Sequence, residues 1–263
     1  MPKIINCELS SDIDELYLYV ISDVHIGSPQ CDIKKFKKLI AEIEDTEHSI
    51  VILNGDLIDN AITNSKSNVY SQTMPPSEQL RYVAELLQPI KDKIVVIHQG
   101  NHCSRTSKQV GFDLSEALAV ELVGRAKAEE IYSPNPYLLF VEFGRNQGRD
   151  CRKTIYSIYG RHGMASGTTV GSKANQLYKT GDMIPNTDVV IHSHTHLPLI
   201  FKDTVTNIDY RNRKVNIKNR LFVNSASFLG AGSYGENMAL KPTAIEFPKI
   251  ILKGDRREVI GVL

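Results

Sequence analysis

Five short polar segments carry the residues that could do chemistry. They are Asp23-Val24-His25, Asn54-Gly55-Asp56, Gly100-Asn101-His102, Gly160-Arg161-His162-Gly163 and Ser193-His194-Thr195-His196. Each closes an apolar run, and five of the eight histidines lie in them. Two Asp, one Asn and four of those His offer carboxylate oxygen, amide oxygen and imidazole nitrogen, without a thiolate. That mixture suits Zn, Fe, Mn or Co in an open catalytic site and argues against a cysteine-rich structural zinc. Seven donors exceed one tetrahedral ion, but they fit two ions if one carboxylate bridges them. Paired ions about 3.5–4 Å apart can clamp both oxygens of an in-line phosphoryl displacement.

Elements that would position these residues are visible around them. Residues 16–21, 50–53 and 94–97 read as short buried strands, each stopped by a polar turn. Asp32 can cap a helix whose apolar positions Ile33, Phe36, Leu39, Ile40 and Ile43 share one face. Helices are also expected at 77–90 and 113–127, with a loop over 63–76. Farther on, strands are expected at 137–143, 154–159, 189–191 and 220–224, a hairpin at 203–217, and a short helix near 173–179. Strand-helix alternation followed by a strand-rich half implies layered α/β with two mixed sheets. Carboxyl ends of neighbouring strands converge on one crevice in such sheets, so the five segments can meet.

Composition narrows the class. The chain has 263 residues, 41% hydrophobic and 23% charged, which excludes disordered, collagenous and coiled-coil classes and fits 1–263 as a single domain. Its 31 basic residues balance 30 acidic ones, so no global positive excess favours wrapping long nucleic acid. The longest apolar runs fall far short of the ~20 residues of a membrane span. The first residues, Met-Pro-Lys-Ile-Ile-Asn, lack the layout of a signal peptide. Cys7, Cys31, Cys103 and Cys151 are dispersed and form no C-x-x-C pair, so a reducing cytoplasm is the expected setting. Composition sets neither an oligomeric state nor a protein partner.

Taken in order, Asp23-x-His25, Gly55-Asp56, Gly100-Asn101-His102, His162 and His194-x-His196 resemble the signature of calcineurin-like metallophosphoesterases, over about residues 16–200. The resemblance implies a four-layer α/β/β/α sandwich. It implies that Asp23, His25 and His196 hold one divalent ion, that Asn101, His162 and His194 hold the other, and that Asp56 bridges both. His102 would then face the substrate as the catalytic residue, stabilising the phosphate or protonating the leaving oxygen. The implied cofactors are two divalent ions, manganese first, with iron, zinc or nickel as alternatives. The implied reaction is hydrolysis of a phosphate ester by a metal-bridging hydroxide. A phosphodiester in a nucleotide or nucleic acid is favoured over a nucleotide or phosphoprotein monoester, and a silent binding module is the minor alternative.

Two positions depart from the family pattern. Cys103 stands where an acid usually follows Asn-His, which leaves Asp59 as a candidate to orient His102. Ser193 replaces the usual Gly before His194, a small-for-small change expected to matter little. The run from Gly167 to Lys173 with Ser227-Phe228-Leu229 resembles bacteriophage and prophage members. It lacks a phosphate-loop pattern, because Ser172 separates Gly171 from Lys173, and reads as a mobile loop beside His162. Arg105 and Arg161 are candidates to hold a phosphate oxygen. His192 reads as packing or as support behind the ligands, and His48 and His98 as structural. Cys103 is not expected to act as a nucleophile. Arg211, Arg213, Lys214, Lys218 and Arg220 form a basic run that reads as a solvated hairpin, with contact to a nucleic-acid backbone as the minor alternative.

Overall fold

The computed structural model describes residues 1–10, 12–63, 65, 68–144, 154–164, 167–230 and 246–263. Cys151 of the dispersed cysteines lies outside these residues; the other three are free thiols.

The run from Leu16 to Ile21 forms β2 (Glu15–Ile21), and it reads as continuously apolar because both of its faces are covered. Leu18 and Val20 point into one core and Tyr19 and Ile21 into another. The next strands behave alike: β3 (Ser49–Leu53), β4 (Ile94–His98) and the short β5 (Tyr132–Ser133) run parallel to β2 in sequence order. Antiparallel β11 (Lys249–Lys253) and β12 (Val259–Val262) complete the sheet as β12-β11-β2-β3-β4-β5. Five helices cover its outer face: α1 (Ile33–Asp45), α2 (Pro76–Leu87), α3 (Asn101–Val110), α4 (Leu114–Val123) and α5 (Arg125–Ile131). Asp32 caps α1 as expected, its carboxylate accepting from the Lys35 amide at 3.0 Å.

The second sheet comprises β1 (Lys3–Leu9), β6 (Tyr137–Phe143), β7 (Thr154–Gly160), β8 (Val189–His192), β9 (Leu199–Asp209) and β10 (Lys214–Asn224), in the order β1-β6-β7-β8-β10-β9. Its inner face supplies Leu139, Val141, Ile158, Ile191 and Val223 to the core between the sheets. Helix α6 (Val170–Asp182) lies on its outer face through Leu177 against Val190 and Phe222. The result is the expected four-layer α/β/β/α arrangement, with two mixed six-stranded sheets and six α-helices among the described residues.

Several boundaries differ from expectation. The helix at 113–127 is two helices, because Gly124 adopts φ +79 and ends the first. The helix expected to reach 90 gives way at Leu87 to a 3-10 stretch, Gln88–Lys93, where Pro89 lacks an amide donor. The loop at 63–76 contains a 3-10 turn, Val69–Ser71. The separate strand at 220–224 is the upper half of β10, paired with β9 over eleven rungs. The run 167–173 is only partly a loop, since Thr169 caps α6 and places Gly171, Ser172 and Lys173 in its first turn. The basic run is also not uniformly solvated. Arg220 is buried, donating to Asp203 at 3.0 Å and to the Gly181 carbonyl, and Lys218 pairs with Asp188 at 3.2 Å.

Candidate metal centre

All five segments arrive at one end of the two sheets. β2, β3 and β4 deliver Asp23 and His25, Asp56, and Asn101 with His102; β7 and β8 deliver His162, then His194 and His196. Asp23, His25, Asp56, His194 and His196 all take positive φ, between 51 and 67°. A non-glycine residue held there costs of order 1–3 kcal/mol and persists only where its surroundings impose it. Here they do: the Asp23 amide donates to Gly55 O and the His25 amide to Asp56 O, each at 3.1 Å, lacing the two loops together. Glycine is required where those loops touch. A Cβ on Gly100 would lie 2.1 Å from Asp56 Oδ1, and one on Gly55 2.7 Å from His162 Nδ1.

The donors fall into three groups whose ligand atoms all lie within 4.8 Å of one another: Asp23, Asp56, His162 and His194; then Asp23, His25 and His196; then His25, Asp56 and His102. In the second group Asp23 Oδ1 is 3.1 Å from His196 Nε2 and 3.8 Å from His25 Nε2, and the two nitrogens are 3.4 Å apart. A triangle with those sides has its centre about 2.0 Å from each atom, the length of zinc bonds to imidazole and carboxylate. Asp23 Oδ1 and His194 Nδ1 are buried without a hydrogen bond among the described residues. Buried polar atoms rarely stay unsatisfied, and a cation would satisfy both.

The first group is set by tautomer. His162 Nδ1 meets the Asn54 carbonyl at 2.8 Å, so that nitrogen carries the proton. Its Nε2 lone pair then faces Asp56 Oδ2 at 2.9 Å and Asn101 Oδ1 at 3.0 Å, three acceptors that a cation could join. Protons fill this role when no ion does. Burial alone would depress His25 and His162, but the carboxylates of Asp23, Asp59 and Asp56 around His25 raise it to about 10. Asp56 and Asp23 raise His162 to about 9. Burial likewise opposes ionisation of Asp23 and Asp56, yet the neighbouring histidines hold both below the usual carboxylate range. His194 is instead pushed down to about 4 by burial, leaving it a neutral donor. The donor set therefore fits divalent cations.

His102 sits beside the first two groups, its Nε2 3.9 Å from Asp56 Oδ2. Its Nδ1 donates to the Asp59 carbonyl at 2.6 Å and lies 3.3 Å from Asp59 Oδ1. Asp59 thus occupies the orienting place that Cys103 leaves vacant. Cys103 is buried in the core beneath α3, and burial pushes its thiol up to about 12, which suits neither an acid nor a nucleophile. Ser193 is more than a small filler: its hydroxyl accepts from Asn54 Nδ2 at 2.6 Å and meets Ser225 Oγ at 2.9 Å in a buried network.

The two arginines part company. Arg161 offers its carbonyl to Asn54 Nδ2, and its guanidinium rests 3.8 Å from Met183 Sδ. Arg105 lies on α3 one turn beyond Asn101, with Nη1 buried and unpaired among the described residues. His192 holds Asn224 Oδ1 at 2.9 Å beneath Gly163, and His98 holds the Ser133 carbonyl, as a supporting or packing role requires.

Supporting residues that sequence reasoning missed are Ser22, Gln72, Gln79 and Lys173. Ser22 Oγ donates to Asp23 Oδ2 at 2.7 Å, and Lys173 Nζ to the Thr195 carbonyl at 2.8 Å. Gln72 Nε2 donates to Asp59 Oδ2 at 2.7 Å, and Gln79 Nε2 to Gln72 Oε1 at 2.9 Å. Only Ser22, adjacent to Asp23, had any local signal.

An α/β/β/α sandwich with an Asp-His-Asn cluster at its strand ends defines a metal-dependent phosphoesterase fold. The chain belongs to the calcineurin-like phosphoesterase family, whose family model matches residues 16–198. A comparison with curated protein sequences gives no significant match. Among solved structures the chain is similar to a predicted phosphoesterase of Streptococcus pneumoniae, at 13% identity and TM-score 0.37, covering 95% of this chain and 99% of that one. It is similar to Vps29 of Entamoeba histolytica complexed with zinc, at 12% identity and TM-score 0.38, covering 94% and 98%. It is also similar to YfkN, a calcineurin-like phosphoesterase of Bacillus subtilis, at 12% identity and TM-score 0.42, covering 95% and 90%. At such distances these likenesses carry no argument about chemistry. No helix among the described residues is long and apolar enough to cross a membrane.

Proposed function

We propose that this chain hydrolyses phosphate esters with two divalent ions, and that its substrate is a phosphodiester in a nucleotide or nucleic acid. Asp23, His25 and His196 would hold one ion, Asn101, His162 and His194 the other, and Asp56 both. Bound ions of this kind supply Lewis acidity, lowering the pKa of water and neutralising charge on phosphate oxygens. Manganese is the first choice among them and a cytoplasmic setting the expected one. The observation that supports this reading is the convergence of buried carboxylate and imidazole donors at one place, with Asp23 Oδ1 and His194 Nδ1 left without a hydrogen bond among the described residues.

The chain's own residues do the rest. With Nδ1 committed to Asp59, His102 presents Nε2 to the pocket, where it can donate to a phosphate oxygen or to the departing alkoxide. Arg105, the stronger of the two arginine candidates, can hold a non-bridging oxygen through its unpaired Nη1. Comparing bis(p-nitrophenyl) phosphate with p-nitrophenyl phosphate, each with Mn, Fe, Zn or Ni added, tests the reading. Faster turnover of the diester is expected. Strong preference for the monoester overturns the substrate, and metal occupancy without turnover of either overturns hydrolysis in favour of a binding module.

A further inference from the structure

The hairpin of β9 and β10 outruns the body of the protein. Leu221 and Arg220 are buried, but farther out Ile217, Val215, Ile208 and Tyr210 are 73, 67, 63 and 84% exposed. Asn207 Nδ2 donates to Asn186 Oδ1 at 3.0 Å and Lys218 Nζ to the Asn186 carbonyl at 2.7 Å, so the ribbon is tied to the body up to there. Only the last two rungs, Ile208 with Val215 and Asp209 with Lys214, stand free with the turn, on the order of 7 Å of two-stranded ribbon. The tip lies at the far end of β9 from His196, roughly 35 Å away at ~3.4 Å per residue.

Its composition departs sharply from the rest of the chain. Overall charge is balanced, yet residues 204–219 hold Arg211, Arg213, Lys214 and Lys218 against the single acid Asp209. Asp209 is already engaged by the Asn212 amide and side chain at 2.9 and 2.8 Å. Arg211, Arg213 and Lys214 have no acidic partner among the described residues. The hairpin's four asparagines are engaged within the protein, Asn207 with Asn186, Asn212 and Asn216 with Asp209, and Asn219 with Thr204, which leaves the three cations as its free charged groups. At the hairpin's base a cleft of about 390 Å³ continues the basic track through Lys202, Lys218 and Arg257. The acids there, Asp188 and Glu258, are matched by Lys218 and Arg257 and by Arg256.

Protection of an exposed sheet edge would place cations along β9, the edge strand. Instead β9 carries only Lys202, and the charge collects at the tip. Pairing with a second copy would bring the same cations together. The apolar stripe of Ile208, Val215 and Ile217 falls short of the roughly 800 Å² per partner of a standard interface.

We propose that the β9–β10 hairpin is a binding arm for duplex nucleic acid, gripping the phosphate backbone through Arg211, Arg213 and Lys214. A two-stranded ribbon fits a major groove about 12 Å wide, and arginine and lysine neutralise phosphates regardless of sequence. The arm acts whether or not the metal centre hydrolyses the polymer, so the two readings stand or fall separately.

The test is anisotropy of a labelled 20-bp DNA duplex in EDTA, titrated with the full chain from 50 to 200 mM KCl. The variant combines Arg211→Gln, Arg213→Asn and Lys214→Gln; asparagine is chosen because Arg213 sits at φ 51. Expected are at least a tenfold loss of affinity at 50 mM salt and a salt slope shallower by about 2.7, with an unchanged thermal midpoint. A companion Arg211→Lys, Arg213→Lys variant should keep binding, because the charge suffices. Failure of the native chain to bind at 50 mM, or equal binding by the neutralised variant, overturns the arm. So does preference for phosphatidylserine vesicles over duplex, or a dimer in sedimentation that Ile217→Asp dissociates.

Discussion

Asp59 meets His102 twice: its carbonyl accepts from Nδ1 at 2.6 Å, and its carboxylate Oδ1 lies 3.3 Å from the same nitrogen. The other carboxylate oxygen is held by Gln72, which Gln79 holds in turn. Asp59→Asn should lower kcat about 10–100-fold, the range found for groups that orient catalytic or ligating histidines. Because Oδ1 is also 3.5 Å from His25 Nδ1, metal content should be measured alongside. Gln72→Ala should show a smaller fall in kcat with little change in KM. An unchanged kcat in both variants would remove the Asp59 carboxylate from the orienting role and leave it to the backbone carbonyl.

Asp56 accepts from the His102 amide at 2.8 Å through Oδ1 and faces His162 through Oδ2. Asp56→Asn removes the charge both ions would share, and nearly all activity and most bound metal should go. Elemental analysis after reconstitution reads the outcome. Full occupancy with native turnover would rule out the bridge.

Gly100 has Asp56 directly against its α-carbon. Gly100→Ala should displace the Asp56 loop, lowering the thermal midpoint by several degrees and abolishing activity. Gly111, where a Cβ would meet nothing, serves as the control despite its φ of +70; Gly111→Asn should be nearly neutral.

Asp188 is buried before β8, where burial opposes its charge but Ser157, Arg257 and Lys218 hold its pKa below the ordinary carboxylate value. A depressed folded pKa contributes stability that is fully present above the unfolded value, near ~4, and is lost as pH falls through the lower folded value. Asp188→Asn should therefore cost about 2 kcal/mol at pH 7 and less near pH 3. Urea melts at the two pH values check the sign. An equal loss at both would show that packing, not charge, is responsible.

Chelation should lower the thermal midpoint, since ions that bind only the folded chain stabilise it by mass action. Re-addition of Mn should restore it in the native chain but not in Asp56→Asn. Identical midpoints with and without chelator would mean that the cluster takes no ion.

The order of donors along the chain was legible because each follows a strand whose apolar run and polar stop are local signals. Asp23, Asp56, Asn101, His162, His194 and His196 could be read this way, as could the layered α/β class. Helix α3 could not: its polar sequence from Asn101 to Val110 carries only His102 and Cys103 as buried residues, too few for a periodic pattern. Strands β1 and β11 were missed for a related reason, lying at or next to a sheet edge with alternating exposure, and β12 is a four-residue edge strand with no buried position.

Residue types and spacing thus determined which atoms can bind metal, and the family resemblance implied which histidine faces the substrate. Tertiary structure decided what those atoms face. Hydrogen bonds between separate loops hold Asp23, His25, Asp56 and His194 at positive φ, select the proton-bearing nitrogen of His162, and put Asp59 rather than residue 103 beside His102. Such contacts join positions 204 residues apart where Ser227 Oγ donates to the Asp23 carbonyl, so no local pattern encodes them. The same holds for the basic run: only the paired sheet shows that Arg220 is buried against Asp203 while Arg211, Arg213 and Lys214 stand free in water.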